Sequence, residues 1–212
     1  MADWVTISAL ATAGGTLVLA GATFASVRSG NRSARIAEQS LLAGLRPLIV
    51  QTRREDPPQK IGFSDNKWLV APGGGGAVES TDGAIYLGIA LRNVGNGIAV
   101  LHGWDLYLLA DAPDDPRGQL DRFTRLTRDL YIAPGDVGFW QGALRDPDRE
   151  SFAYARNAVQ SGERVLVDIL YGDQQGLQRM ISRFSLLPRD DGAWGATVAR
   201  HWNVDGADPR ER

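Results

Sequence analysis

No cysteine occurs in the 212 residues. That absence excludes disulfides, thiolate nucleophiles and cysteine-built zinc sites together, and it is compatible with a reducing compartment. Histidine is scarce too, with only His102 and His201, and no serine or carboxylate stands at a recognisable triad spacing from either. Lysine stands only at Lys60 and Lys67, so the basic charge is nearly all arginine. The formal net charge is -2, which gives no general attraction to nucleic acid, and no nucleic-acid partner is expected. There is no Gly-x-Ser-x-Gly elbow. The glycine run at 73–76 lacks the Gly-Lys-Ser/Thr ending that would place a lysine and a hydroxyl on phosphate and magnesium. Four glycines alone predict a flexible linker.

Charge is also missing from one long stretch. Trp4 to Val27, WVTISALATAGGTLVLAGATFASV, is 24 residues without a charged side chain. As a helix it would reach about 36 Å, enough for a hydrocarbon core of about 30 Å. Small residues recur four apart at Ala11/Gly15 and Gly21/Ala25, a spacing that permits self-association through the helix in lipid. A cleaved signal peptide is the competing expectation, but it needs a positive region before the apolar stretch. Here only Asp3 precedes Trp4, and Arg28, Arg32, Arg35 and Arg46 follow Val27. The positive-inside rule then places the following domain in the cytoplasm, behind an uncleaved single-pass anchor in the cell membrane. Residues 28–46 carry a weak apolar stripe and predict a juxtamembrane helix that Pro47 ends. Its arginines face either anionic headgroups or plain solvent.

From residue 47 to 204 the chain reads as short strands between turns. AIYLGIALRN alternates, with Ile85, Leu87, Ile89 and Leu91 facing one way. Past the glycines, Ile98, Val100, Trp104, Leu106 and Leu108 are expected to share a face, which puts His102 on it. Between these runs lies LRNVGNGIAV. A dinucleotide fingerprint needs a helix after its glycines; here a strand follows, and Val100 occupies the third position. Asn93, Gly95 and Gly97 are therefore read as a structural bend, with the glycines supplying φ > 0. Residues 147–161 predict a short helix that Gly162 closes. A hairpin follows, whose GDQQG turn places Gly176 in the left-handed region. The tail 205–212 is expected to be mobile. Together these predict a mainly β fold, an immunoglobulin-like β-sandwich behind one long N-terminal helix.

LRNVGNGIA, then WDLYLLA, IAPGD and LYGDQQGLQR, come in an order that resembles immunoglobulin-like sandwich domains of bacterial surface and membrane proteins, including the CARDB adhesion-related domain. With the ARIAEQSLLAGLRP segment, the whole chain is similar to small bacterial membrane-anchored proteins carrying one N-terminal helix and such a sandwich. The resemblance implies no catalytic residues. Ile98 stands where many members have proline, and the arginine bias points inward whereas adhesion domains sit outside.

Asp111, Asp114 and Asp115 lack EF-hand spacing and read as a solvated acidic loop. Asp173 reads as a turn residue. The tryptophans beyond the anchor read as core or edge aromatics. The expected function is a membrane-tethered, non-catalytic module that binds the bilayer and a protein partner whose identity the sequence does not give, with no cofactor and no metal. The alternatives are a membrane-anchored hydrolase with an unobvious polar site, or an envelope-binding protein if the domain lies outside.

Overall fold

A computed structural model describes residues 3–148 and 150–206. Two compact units divide the chain between Gly44 and Leu45.

The first unit is helix α1, Trp4–Gly44, 41 residues without a break across the two stretches distinguished in sequence. Large apolar side chains along it are exposed: Leu17, Val18 and Leu19 are 74%, 73% and 69% exposed. Consecutive helical positions point about 100° apart, so the exposure is not confined to one stripe. The hydroxyls of Thr12, Thr16 and Thr23 each donate to the carbonyl four residues back, at 2.9, 2.8 and 2.8 Å. Among the described residues, no helix is long and apolar enough to cross a membrane. The side chains of Val5, Thr6, Ala9 and Ala11 lie outside the described residues, and with Ala11 the Ala11/Gly15 pair.

The second unit holds strands β1 (Ile49–Gln51), β2 (Gln59–Gly62), β3 (Trp68–Ala71), β4 (Gly75–Ser80), β5 (Ile85–Asn93), β6 (Ala99–Leu108), β7 (Thr124–Ile132), β8 (Val137–Leu144), β9 (Val165–Gly172), β10 (Arg179–Pro188) and β11 (Trp194–Asn203), with helix α2 (Glu150–Ser161) before β9. Nine strands form one antiparallel sheet, eight of them in the order β1-β5-β4-β11-β10-β9-β6-β7 with β8 paired to β5 as the ninth, and β2 and β3 form a separate hairpin. β8 pairs with Ile85–Arg92 and β4 with Ile85–Ile89, so they lie on opposite edges of β5. The sheet curls. Trp104 on β6 and Trp140 on β8 are far apart along the ladder, yet their rings meet edge to face at 5.4 Å. The core gathers Ile85, Leu87, Ile89 and Leu91 with Val167, Ile169 and Phe184 from the far side of the curl. One continuous sheet thus takes the place of the expected pair of separate sheets.

The alternation of β5 holds, with Ile85, Leu87, Ile89 and Leu91 in one core, and its other face is buried too, because the β2–β3 hairpin covers Tyr86 and Ala90 with Ile61, Phe63 and Leu69. One strand expectation changes. On β6 the register shifts between Leu101 and Gly103. This bulge adds a residue to the strand and reverses its phase. Ala99 and Leu101 enter the core with Trp104, instead of Ile98 and Val100, and His102 sits at the bulge.

The glycine run is not a linker. Gly75 and Gly76 belong to β4 and pair with Gly195 and Trp194, the short ladder that joins β4 to β11. A Cβ on Gly76 would lie 2.5 Å from Leu186 Cδ2 and 2.7 Å from the Gly88 carbonyl oxygen. Side chains are excluded there by close approach. Asp205, at the start of the expected tail, accepts from the Arg179 backbone at 2.7 Å and from its guanidinium. Residues 207–212 lie outside the described residues.

Candidate functional site

The bend is built on Asn93, which is fully buried. Its Oδ1 accepts from the Leu48 and Gly95 amides at 3.1 and 3.0 Å. Its Nδ2 donates to the Gly97 and Ile132 carbonyls at 2.6 and 3.0 Å. Its backbone binds both sides of the turn after β7, donating to Asp136 O and accepting from Gly135 N. One amide therefore ties the chain entering β1, the β5–β6 bend and the end of β7. Flipping it would put oxygen against two carbonyls, so the network fixes its orientation.

Gly95 and Gly97 are not in the left-handed region. They are required for a different reason. A Cβ on Gly97 would lie 1.7 Å from the Leu45 carbonyl oxygen, and one on Gly95 2.3 Å from that of Arg46. The bend lets the backbone of residues 45–48 pass against it. Gly176 does take φ +72°, in the β9–β10 turn, where Asp173 accepts from the Leu177 amide at 2.8 Å. Arg28, Arg32 and Arg35 lie exposed on α1.

Beside the bend opens a groove of about 570 Å³, bordered by Arg46, Leu48, Asn96, Met180, His201 and Trp202 among others. A polar chain runs inward from it. Ser182 Oγ lies 2.6 Å from His201 Nδ1 and 3.0 Å from Tyr171 Oη, and the Ile49 amide donates to Tyr171 Oη at 3.4 Å. Burial pushes the Tyr171 phenol up to about 12, so it stays protonated and must donate. Its acceptor is then Ser182, and with a neutral His201 ring carrying its proton on Nε2, Ser182 donates to Nδ1.

The pair has the composition of a nucleophile and its base, but not the access. Ser182 is 0% exposed, with its hydroxyl held between Tyr171 and His201. In this arrangement the hydroxyl is enclosed, and the polar chain links β9, β10 and β11. No spacing in the sequence announced it. Ser182 and His201 face each other only through the β10–β11 register.

A second buried polar cluster lies around Asp168. Asp168 is fully buried and grips Arg183 through two bonds of 2.7 Å. Burial pushes the carboxyl up, while the guanidinium favours its ionised form; the two-bond geometry is that of an ion pair. Arg183 also donates to the Pro113 carbonyl at 2.8 Å and lies 4.9 Å from the Trp202 ring centre. It thereby fastens the 111–123 segment over the outer face of the sheet. That segment contains a 3-10 turn, Pro116–Arg122, capped by Asp115. Burial, then the nearby Arg179 charge, lowers the affinity of His102 for a proton. Trp104, Trp140 and Trp202 are buried, while Trp68 is 65% exposed. Among the described residues, no group of three or more metal-ligating side chains comes together.

No protein-family model matches the chain, and no curated protein matches it. Among solved structures it is similar to a protein from Archaeoglobus fulgidus, at 9% identity, over 60% of this chain and 92% of that one, with a TM-score of 0.25. That likeness is too slight to support a functional argument.

Proposed function

We propose that the protein is a membrane-tethered, non-catalytic binding module, with α1 as the tether and the groove beside Asn93 as the recognition site. The observation that carries the proposal is α1 itself: 24 uncharged residues from Trp4 to Val27, helical, with Leu17, Val18, Leu19 and Phe24 all exposed. Such a surface is costly in water and suited to lipid. The threonine hydroxyls bonded within the helix reduce the cost of placing them there. The abundance of small residues leaves α1 less apolar than a leucine-rich span, and among the described residues no helix is long and apolar enough to cross a membrane; the tether reading rests on the uncharged run and its exposure.

The one-sheet domain is an open relative of an immunoglobulin-like sandwich in this proposal, facing the cytoplasm because Arg28, Arg32 and Arg35 follow the apolar stretch. Binding rather than turnover is supported by the closed position of Ser182. Tethering would raise the local concentration of the groove for membrane partners.

The test uses the absence of native cysteine. Gly83 is exposed, and a Cβ there meets nothing within 4 Å, so Gly83→Cys is a harmless label site. The full chain should sediment with membranes and resist carbonate extraction, and the cysteine should react with an impermeant maleimide only after spheroplasts are broken. A chain released by carbonate would refute the tether. Labelling in intact spheroplasts would place the domain outside.

A further inference from the structure

Arg46 is half-buried at the mouth of the groove. Its Nε donates to the Met180 sulfur at 3.2 Å, a weak acceptor. Among the described residues no carboxylate pairs with it, whereas Arg92, Arg179 and Arg183 each hold an aspartate. The groove wall contains Arg46 and Arg200 and no aspartate or glutamate. Arg200 stacks on Trp202 at 5.2 Å, and its charge also reaches Asp115. Leu48, Met180 and Ala199 line the same cavity.

A half-buried guanidinium without an anion has given up hydration and gained little in return. An anion in the groove would restore the balance, and the apolar wall favours one that carries hydrocarbon. We propose that the groove binds a phosphate ester with an apolar substituent, with the Arg46 guanidinium on the phosphate oxygens and the substituent against Leu48 and Met180. A guanidinium can meet a phosphate through two parallel N–H···O bonds. The same chemistry is offered by a phospholipid headgroup and by a soluble alkyl phosphate. The proposal rests on the groove being the recognition site, and not on α1 lying in a membrane.

The full chain in neutral detergent is titrated with hexyl phosphate, inorganic phosphate and the neutral probe N-phenyl-1-naphthylamine, with binding read from tryptophan fluorescence. A parallel arm measures sedimentation with phosphatidylcholine vesicles with and without phosphatidic acid. Hexyl phosphate should bind more tightly than inorganic phosphate. Arg46→Gln should weaken it by about ten- to a hundredfold, the usual worth of a charge-assisted bond. Ala199→Glu, at an exposed groove position, should weaken it as well, and stands in if Arg46→Gln does not fold. A headgroup source is indicated if phosphatidic acid raises vesicle binding in an Arg46-dependent way, and a soluble source if only hexyl phosphate responds. Hexyl phosphate binding that neither substitution changes, or none at all, overturns the proposal. If the neutral probe still binds in that case, the groove remains a recognition site for an uncharged ligand; if it does not, the site itself is refuted.

Discussion

Replacing Asn93 by aspartate alters one atom of the buried hub and should make stability depend on pH in a defined direction. The carboxyl keeps one oxygen on the Leu48 and Gly95 amides, but its second oxygen faces the Gly97 and Ile132 carbonyls, which Nδ2 contacts at 2.6 and 3.0 Å. An ionised aspartate cannot remain there. It must take a proton, which it can then donate to one carbonyl, leaving the other unsatisfied at a cost of about 1–3 kcal/mol. Holding that proton at pH 7 against an ordinary carboxyl pKa near 4 costs about 4 kcal/mol more. The loss is then about 5–7 kcal/mol at pH 7 and about 2.5–4.5 kcal/mol at pH 5, against a typical total of about 5–15. The folded pKa is raised, so the stabilising proton is fully present below the unfolded pKa and its benefit fades as pH rises. Urea unfolding followed by tryptophan fluorescence, variant against parent at each pH, measures the difference. If the variant is already unfolded at pH 7, refolding on acidification is the readout. A loss below about 1 kcal/mol at pH 7, or one equal at both pH values, refutes the hub.

Gly97→Ala should cost about 3 kcal/mol or more, because the new methyl group collides with the Leu45 carbonyl backbone and not with a movable side chain. Gly83→Ala, in open space, should stay within about 0.5 kcal/mol, and equal melting temperatures for the two would remove the close-approach argument. His102 binds its proton less readily when folded than its ordinary 6.5. Its contribution is therefore present above that pH and lost as pH falls below it. His102→Gln should flatten the decline in melting temperature between pH 7 and 5, and an unchanged decline would exclude His102 as its source.

The uncharged run from Trp4 to Val27, the alternation of Ile85 to Leu91, the helix closed by Gly162 and the hairpin turned at Gly176 are local patterns. They follow from side-chain period and from glycine's access to positive φ, and both quantities are present in the sequence itself. The bend at Asn93 was visible as a break in alternation, but its cause was not. Gly95 and Gly97 are glycine because residues 45–48, distant in sequence, press against them. The β6 bulge moved His102 off the core face, since a single extra residue reverses a period of two and no residue type marks its position. The glycine run became part of a strand because β11 pairs there. Ser182 and His201 became partners through the register of β10 and β11, and Arg46 came to stand over Met180, 134 residues away. Such contacts depend on which strands pair and in what register. That choice is made by burial over the whole curled sheet, so only the tertiary structure could disclose the groove.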